Sequence, residues 1–269
     1  QFSHPQFSIN FPAQRLTTEM DWDDLVLNNQ TQEQIHDLKA WIDHRATILD
    51  EWDMKKKLKL GYRVLFHGPP GTGKTLTASL LGKYTGKDVY KIDLSMVVSK
   101  FIGETEKNLA NLFSRSESKG WILFFDEADA LFGKRTNVRD AHDKYANQEV
   151  SYLLQRVENY DGLVILSSNL KSNIDDAFIR RFQAIINFPM PNSKERLRLW
   201  QMAIPSQLKL NPSVNLAELS TQYELSGADI INIVQYCCLQ LLKQGQQEVN
   251  QETMIAAIKR EFSKSGKIV

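Results

Sequence analysis

Gly68-Pro69-Pro70-Gly71-Thr72-Gly73-Lys74-Thr75 decides how the rest of this chain is read. The pattern is G-x-x-x-x-G-K-[ST], a loop whose backbone N–H groups wrap a polyphosphate. Its glycines let the backbone turn tightly, and a helix N-terminus behind it adds partial positive charge. The flanks agree. Tyr62 to His67 is an apolar, strand-like run, and Leu76 to Tyr84 is helix-like, so strand, loop and helix follow in the order the motif needs. A plain Gly/Pro-rich turn accounts for the glycines but not for the motif together with both flanks. In such a loop Lys74 reaches the β- and γ-phosphates and the Thr75 hydroxyl ligates Mg2+. Pro70, Gly71, Thr72, Gly73 and Leu76 complete the expected nucleotide contacts.

Downstream, Asp88 to Asp93 reads as a short strand, and Leu109, Leu112 and Phe113 signal a helix. Gly120 to Phe125 is a continuous apolar run, as a strand buried on both faces of a parallel sheet requires. It runs directly into Asp126-Glu127. Residues 133–147 read as a long polar loop, and Asn147 to Asn159 returns to helix. Leu163 to Leu166 is another buried strand, ending in Ser167-Ser168-Asn169. Asp175 to Arg181 reads as a short helix, and Ala184 to Phe188 as a last strand stopped by Pro189 and Pro191. Beyond Asn192 no strand pattern remains, and helices are expected near 193–203, 215–220, 226–243 and 250–263. Upstream, residues 1–20 show no periodicity and read as an extended arm, and Thr31 is expected to cap a helix carrying Ile35, Leu38, Ile42 and Leu49. The fold expected is α/β: a P-loop NTPase parallel sheet flanked by helices over 21–191, followed by a small all-helical lid domain over 192–269.

An acidic pair at the C-terminal end of a buried strand lands beside the phosphate loop, where ligands of open parallel sheets bind. Asp126 is expected to hold Mg2+ through water, and Glu127 to polarise the attacking water as general base. Asn169 ends the next strand. Read alone, it is a turn residue; beside a phosphate it orients the same water or touches the γ-phosphate. Arg180 and Arg181 are equally ordinary surface charges or arginine fingers that stabilise charge on the transferred phosphoryl group.

Composition narrows the classes. The chain has 269 residues, 42 % hydrophobic and 24 % charged, with a net charge of +1. That balance gives no overall pull toward nucleic acid or membrane, so nucleic acid is not an expected partner. The run Lys55-Lys56-Lys57-Leu58-Lys59 has Asp50, Glu51 and Asp53 beside it and reads as a solvated face. No apolar stretch approaches the ~20 residues of a membrane helix. The cysteines Cys237 and Cys238 are adjacent and form no disulfide framework, which suits a cytoplasmic location. Gln1 without a preceding Met reads as the start of a fragment.

Taken together, these residues resemble an AAA+ ATPase of the AAA family, over about residues 21–265. Gly68–Thr75 is similar to its Walker A motif and Leu123–Glu127 to its Walker B, and Asn169 falls at the sensor 1 position. The stretch Asp175–Phe182 resembles the second region of homology, and its double Arg before Phe looks like the katanin/spastin branch. Ser226-Gly227-Ala228-Asp229 is similar to the lid motif that packs on the nucleotide. Asp24, Leu25 and Val26 stand where relatives place a turn against adenine, with Val26 in place of the usual Gly. Ala203 stands where many relatives carry His. Lys100-Phe101-Ile102-Gly103-Glu104 resembles pore loop 1. The resemblance implies ATP or ADP with Mg2+ as ligands and a homo-oligomeric ring, expected to be a nucleotide-dependent hexamer. It implies Arg180 and Arg181 acting on the neighbouring subunit's ATP, and Phe101, Ile102 and Gly103 gripping a polypeptide substrate, delivered directly or by an adaptor. The other reading open at this point is a nucleotide-gated assembly module of a larger complex that threads nothing.

Overall fold

The computed structural model describes residues 13–94, 104–129, 151–169, 179–245, 248–264 and 266, with the backbone alone at 104–108. The chain divides into two compact units. One takes in the residues up to Asp21, Gln30–Gly68 and Lys74–Asn187; the other takes in Trp22–Asn29, Pro69–Gly73 and the chain from Phe188 onward.

The first unit is built on one sheet. Its strands are β1 (Ala13–Leu16), β2 (Tyr62–His67), β3 (Val89–Asp93), β4 (Ile122–Asp126), β5 (Leu163–Ser168) and β6 (Ala184–Asn187), in the spatial order β1-β3-β4-β5-β2-β6. All pairings are parallel except β1 with β3. The central strands are buried along nearly their whole length, and every residue of β5 is buried. That burial explains their unbroken Val/Ile/Leu/Phe runs: both faces are covered, so no alternation is needed. Helices α1 (Asn29–Ala46), α2 (Lys74–Thr85), α3 (Glu104–Lys119) and the helical residues 151–159 accompany the sheet. One core joins Leu65, Ile92, Leu112, Phe113, Phe125, Leu153 and Tyr160. The Tyr160 hydroxyl donates to the Trp121 carbonyl at 2.5 Å, and burial pushes its pKa well above the ordinary phenol value.

Several expectations differ in detail. Part of the segment read as an arm is a strand: Ala13–Leu16 pairs antiparallel with β3, and Arg15 bonds Asp88 at 2.6 Å. Four residues are too short for a period to show, so only the partner strand defines them. Thr31 does not cap α1, which starts at Asn29. It is buried inside the helix, where its hydroxyl donates to the Asn187 carbonyl at 2.6 Å. Gln34 likewise donates to the Ile185 carbonyl. These two bonds satisfy acceptors on the outer edge of β6, which would otherwise stand open. Leu49 lies past α1, in a π-helical turn over Thr47–Glu51.

The second unit carries α4 (Ser193–Ala203), α5 (Leu216–Gln222), α6 (Gly227–Gln244) and α7 (Gln251–Lys264). It also holds a two-residue parallel pair, β7 (Lys209–Leu210) with β8 (Glu248–Val249), in a region read as purely helical. Asn192, Asn215 and Ser226 cap their helices with side-chain oxygens, and Gly245 ends α6 at φ 64°. Trp200, Leu219, Ile230, Ile233, Cys237, Met254 and Ile258 form its core, and Ala203 packs against them. Burial pushes the Cys237 thiol up to about 11, so it stays protonated and behaves as a small apolar residue. Among the described residues, no helix is long and apolar enough to cross a membrane.

Candidate functional site

Strand order explains why the phosphate loop sits where it does. The first parallel strand, β2, lies between β5 and β6, while the next strand in sequence, β3, lies on the far side of β4 and β5. The connections therefore diverge at the carboxyl end of β2, and a crevice opens there. Gly68 leaves β2 with its N–H donating to the Ser168 carbonyl at 3.2 Å. Lys74 is the first residue of α2 and is 7 % exposed. Its ammonium donates to the Gly68 carbonyl at 2.6 Å and to Asn169 Oδ1 at 3.2 Å. Burial lowers its pKa, and the carboxylates of Asp126, Asp129 and Glu127 oppose that shift. Thr75 and Leu76 follow, both half-buried, in the first turn of α2.

The acidic pair is not immediately beside the loop. β5 intervenes between β2 and β4, which places Asn169 between Lys74 and Asp126. Lys74 bonds Asn169, and the Asp126 carboxylate also acts on it electrostatically. Asp126 Oδ2 lies 2.6 Å from Lys91 Nζ, and its Oδ1 accepts the Glu127 N–H at 3.0 Å. Glu127 is exposed and has a φ of 54°, a left-handed conformation that costs a non-glycine residue about 1–3 kcal/mol. The Ala128 N–H, donating to the Ser167 carbonyl at 2.8 Å, pins the residue after it. Desolvation, with Asp126, Asp129 and Asp93 nearby, raises the pKa of Glu127 above the ordinary 4.5.

Asp129 escaped the sequence reading. Its Oδ1 accepts the Ser168 hydroxyl at 2.6 Å and its Oδ2 the Asn169 N–H at 3.1 Å. It clamps the end of β5 and so aims Asn169 at Lys74. The available signal was an acid three residues after Asp126, but nothing local ties it to β5. Lys91 was missed too; a charge inside an apolar strand was its signal.

The residues expected on the base side belong to the second unit. Asp24 ends the short 3-10 turn Trp22–Asp24, and Leu25, buried, donates its N–H to the Trp22 carbonyl at 3.3 Å. Val26 follows, half-buried. Gly71 and Gly73 have φ of 76° and 103°. A Cβ on Gly71 would stand 2.5 Å from Ser226 Oγ and 2.8 Å from Ala228 Cβ; one on Gly73 would stand 2.8 Å from Leu25 Cδ1. The Ala228 N–H donates to the Gly71 carbonyl at 3.4 Å, and Gly227 packs against that carbonyl and Leu199. The Thr72 hydroxyl donates to the Pro69 carbonyl at 2.8 Å, and Pro70 is exposed. These glycines are therefore required both by conformation and by close approach.

The arginines stand elsewhere. Arg180 and Arg181 precede β6, at the amino end of strands whose carboxyl ends carry Lys74, Asp126 and Asn169. Six strand residues at ~3.3 Å each put about 20 Å between the two ends. Both arginines are exposed, and Arg181 Nη1 lies 2.5 Å from Glu158 Oε1. Neither reaches Lys74, Asp126 or Asn169 of its own chain. Phe101, Ile102 and Gly103 lie outside the described residues.

The donor set fits the expected ligands. The glycine cradle and buried Lys74 suit a polyphosphate. The Thr75 hydroxyl and Asp126 carboxylate offer the few hard oxygens that suit Mg2+, which keeps most of its water.

A parallel sheet with a phosphate loop at its switch point, followed by a smaller helical region, defines a P-loop NTPase of AAA+ architecture. Residues 64–190 match the family model described as "ATPase family associated with various cellular activities (AAA)". The chain thus carries an AAA ATPase domain, of a family that binds ATP and ADP. It is 32 % identical over 205 residues to the proteasome-activating nucleotidase of Aeropyrum pernix, covering 73 % of this chain and 50 % of that protein. It is 32 % identical over 191 residues to cell division protein C of Sulfolobus acidocaldarius, covering 67 % and 50 %. It is 30 % identical over 211 residues to the 26S proteasome regulatory subunit 6B homolog of Encephalitozoon cuniculi, covering 76 % and 54 %. The chain spans about half the length of these curated relatives.

Proposed function

We propose that this domain binds ATP with Mg2+, hydrolyses it at the interfaces of a homo-oligomeric ring, and uses the cycle to remodel a polypeptide. The observation that carries the catalytic part is Lys74 bonded to Asn169, with Asn169 held by Asp129 and the Asp126–Glu127 pair one strand further on. In this reading Lys74 and the loop N–H groups bind the β- and γ-phosphates. Asn169 orients the attacking water, and Glu127 takes its proton. Thr75 and Asp126 hold the metal, which supplies charge neutralisation on the phosphate oxygens when bound. Asp24, Leu25, Val26, Gly227 and Ala228 belong to the base side.

The ring is supported by the arginines. A group about 20 Å from the Lys74 of its own chain acts in hydrolysis only on another copy's nucleotide. The polypeptide as substrate class, with Phe101, Ile102 and Gly103 as its grip, is supported by relatives named for activating a proteasome. The test is ATPase rate per subunit against protein concentration, for wild type and Arg181→Ala, with native mass spectrometry in parallel. The wild-type rate should climb with concentration as rings form. Arg181→Ala should lose on the order of 10³-fold in turnover while still binding ATP. A concentration-independent rate that the substitution leaves alone would mean that each subunit works by itself.

A further inference from the structure

Lys91 is a cation on a strand that otherwise reads Val-Tyr-Ile-Asp, and the hydrolytic scheme above does not use it. Register accounts for its position. Lys91 pairs with Phe124 and Asp93 with Asp126, so all four side chains leave the same face of the sheet. From there Lys91 reaches diagonally to Asp126 Oδ2 at 2.6 Å, while Asp126 Oδ1 is held by the Glu127 N–H. Both oxygens are thereby fixed in direction. The side chains of the pair are 31 % and 21 % exposed, so bulk water screens them only in part. Around them stand the carboxylates of Asp93, Glu127 and Asp129. Lys74 faces this group from the β2 side and Lys91 from the β3 side, so the acids lie between two ammonium groups.

We propose that Lys91 is a positioning residue for the metal-side carboxylate, holding Asp126 and offsetting the acidic cluster so that a nucleotide polyphosphate can approach it without a divalent cation. This rests on the reading of Asp126 given above. The ammonium of Lys91 and the water shell of Mg2+ offer the same thing to Asp126: positive charge and N–H or O–H donors. They are therefore partly interchangeable in screening a triphosphate from the acids. Removing Lys91 exposes the incoming phosphates to uncompensated carboxylates when Mg2+ is absent, and much less when it is present. An ion pair that merely stabilises the sheet would affect both conditions alike.

The experiment measures the affinity of the whole chain for a fluorescent, non-hydrolysable ATP analogue, once in EDTA and once in excess Mg2+. Lys91→Met should weaken binding about tenfold more in EDTA than in Mg2+, an effect in the range expected for one partly buried charge at short distance. Lys91→Gln, which keeps a donor but no charge and guards against a misfolded Met variant, should behave in the same way. Lys91→Arg should restore the wild-type ratio to within about twofold. Equal weakening in both conditions, or an unchanged ratio in both neutral variants, would overturn the proposal. Wild-type ATP turnover that persists undiminished in EDTA would overturn the reading of Asp126 as a metal-side carboxylate, and the proposal with it.

Discussion

Glu127 shows how much the site asks of one residue. It is held at positive φ, and desolvation, with the neighbouring acids, works against its ionised form. Its folded pKa is raised, so protonation favours the fold. That contribution is complete below about pH 4.5 and is lost as pH rises through the folded pKa. At neutral pH the wild type has therefore lost it, while a neutral isostere has not. Glu127→Gln should abolish turnover and trap ATP, yet raise Tm at pH 7 by ~1 °C, a small shift because the group is solvent-screened. The gain should vanish toward pH 4, and thermal melts across that range read it directly. A Tm gain that persists at pH 4 would mean that the substitution acts through packing and not through charge. The acid limb of the wild-type rate profile should likewise lie above pH 4.5.

At the scale of elements, the sequence was most legible where one physical demand dominates. Strands β2, β4 and β5 must be apolar throughout because both faces are covered, and their runs were found to within two residues. Helix α6 announced itself through Ile230, Ile233, Val234 and Cys237 on one face. β1, β7 and β8 left no such mark, since two to four residues carry no measurable period and are defined by their partners. Thr31 was misread because Thr is a good cap and nothing local reveals that Asn187 needs a donor. The start of α6 rests on a reciprocal cap: the Ser226 N–H donates to Asp229 Oδ2 at 2.8 Å, and the Asp229 N–H to Ser226 Oγ at 3.2 Å. Ser226→Ala should cost about 1 kcal/mol, seen as a Tm lower by ~2–4 °C, while Ser226→Thr restores most of it.

For the whole molecule, the candidate residues fall at two ends of one sheet. The carboxyl ends carry Lys74, Asn169, Asp126 and Glu127; the amino ends carry Arg180 and Arg181. The proposed function makes hydrolysis and grip on a substrate separate demands, so they should separate by mutation. Phe101→Ala should keep ATPase activity within about twofold while abolishing unfolding of a tagged test protein, read by loss of that protein's fluorescence. Parallel loss of both activities would place Phe101 in the hydrolytic machinery instead.

The amino-acid sequence alone determined the class of protein, because a phosphate loop needs its glycines, lysine and hydroxyl at fixed spacing. It also determined which strands are buried, because burial on both faces demands unbroken apolar runs. Tertiary structure alone decided who meets whom. β5 lies between β2 and β4, and so Asn169 at its end meets Lys74. Asp129 reaches Asn169, and Lys91 reaches Asp126, from residues roughly 35–40 positions away in the chain. Such pairings depend on strand order and register, which arise from the packing of all the strands together and leave no trace in any one of them.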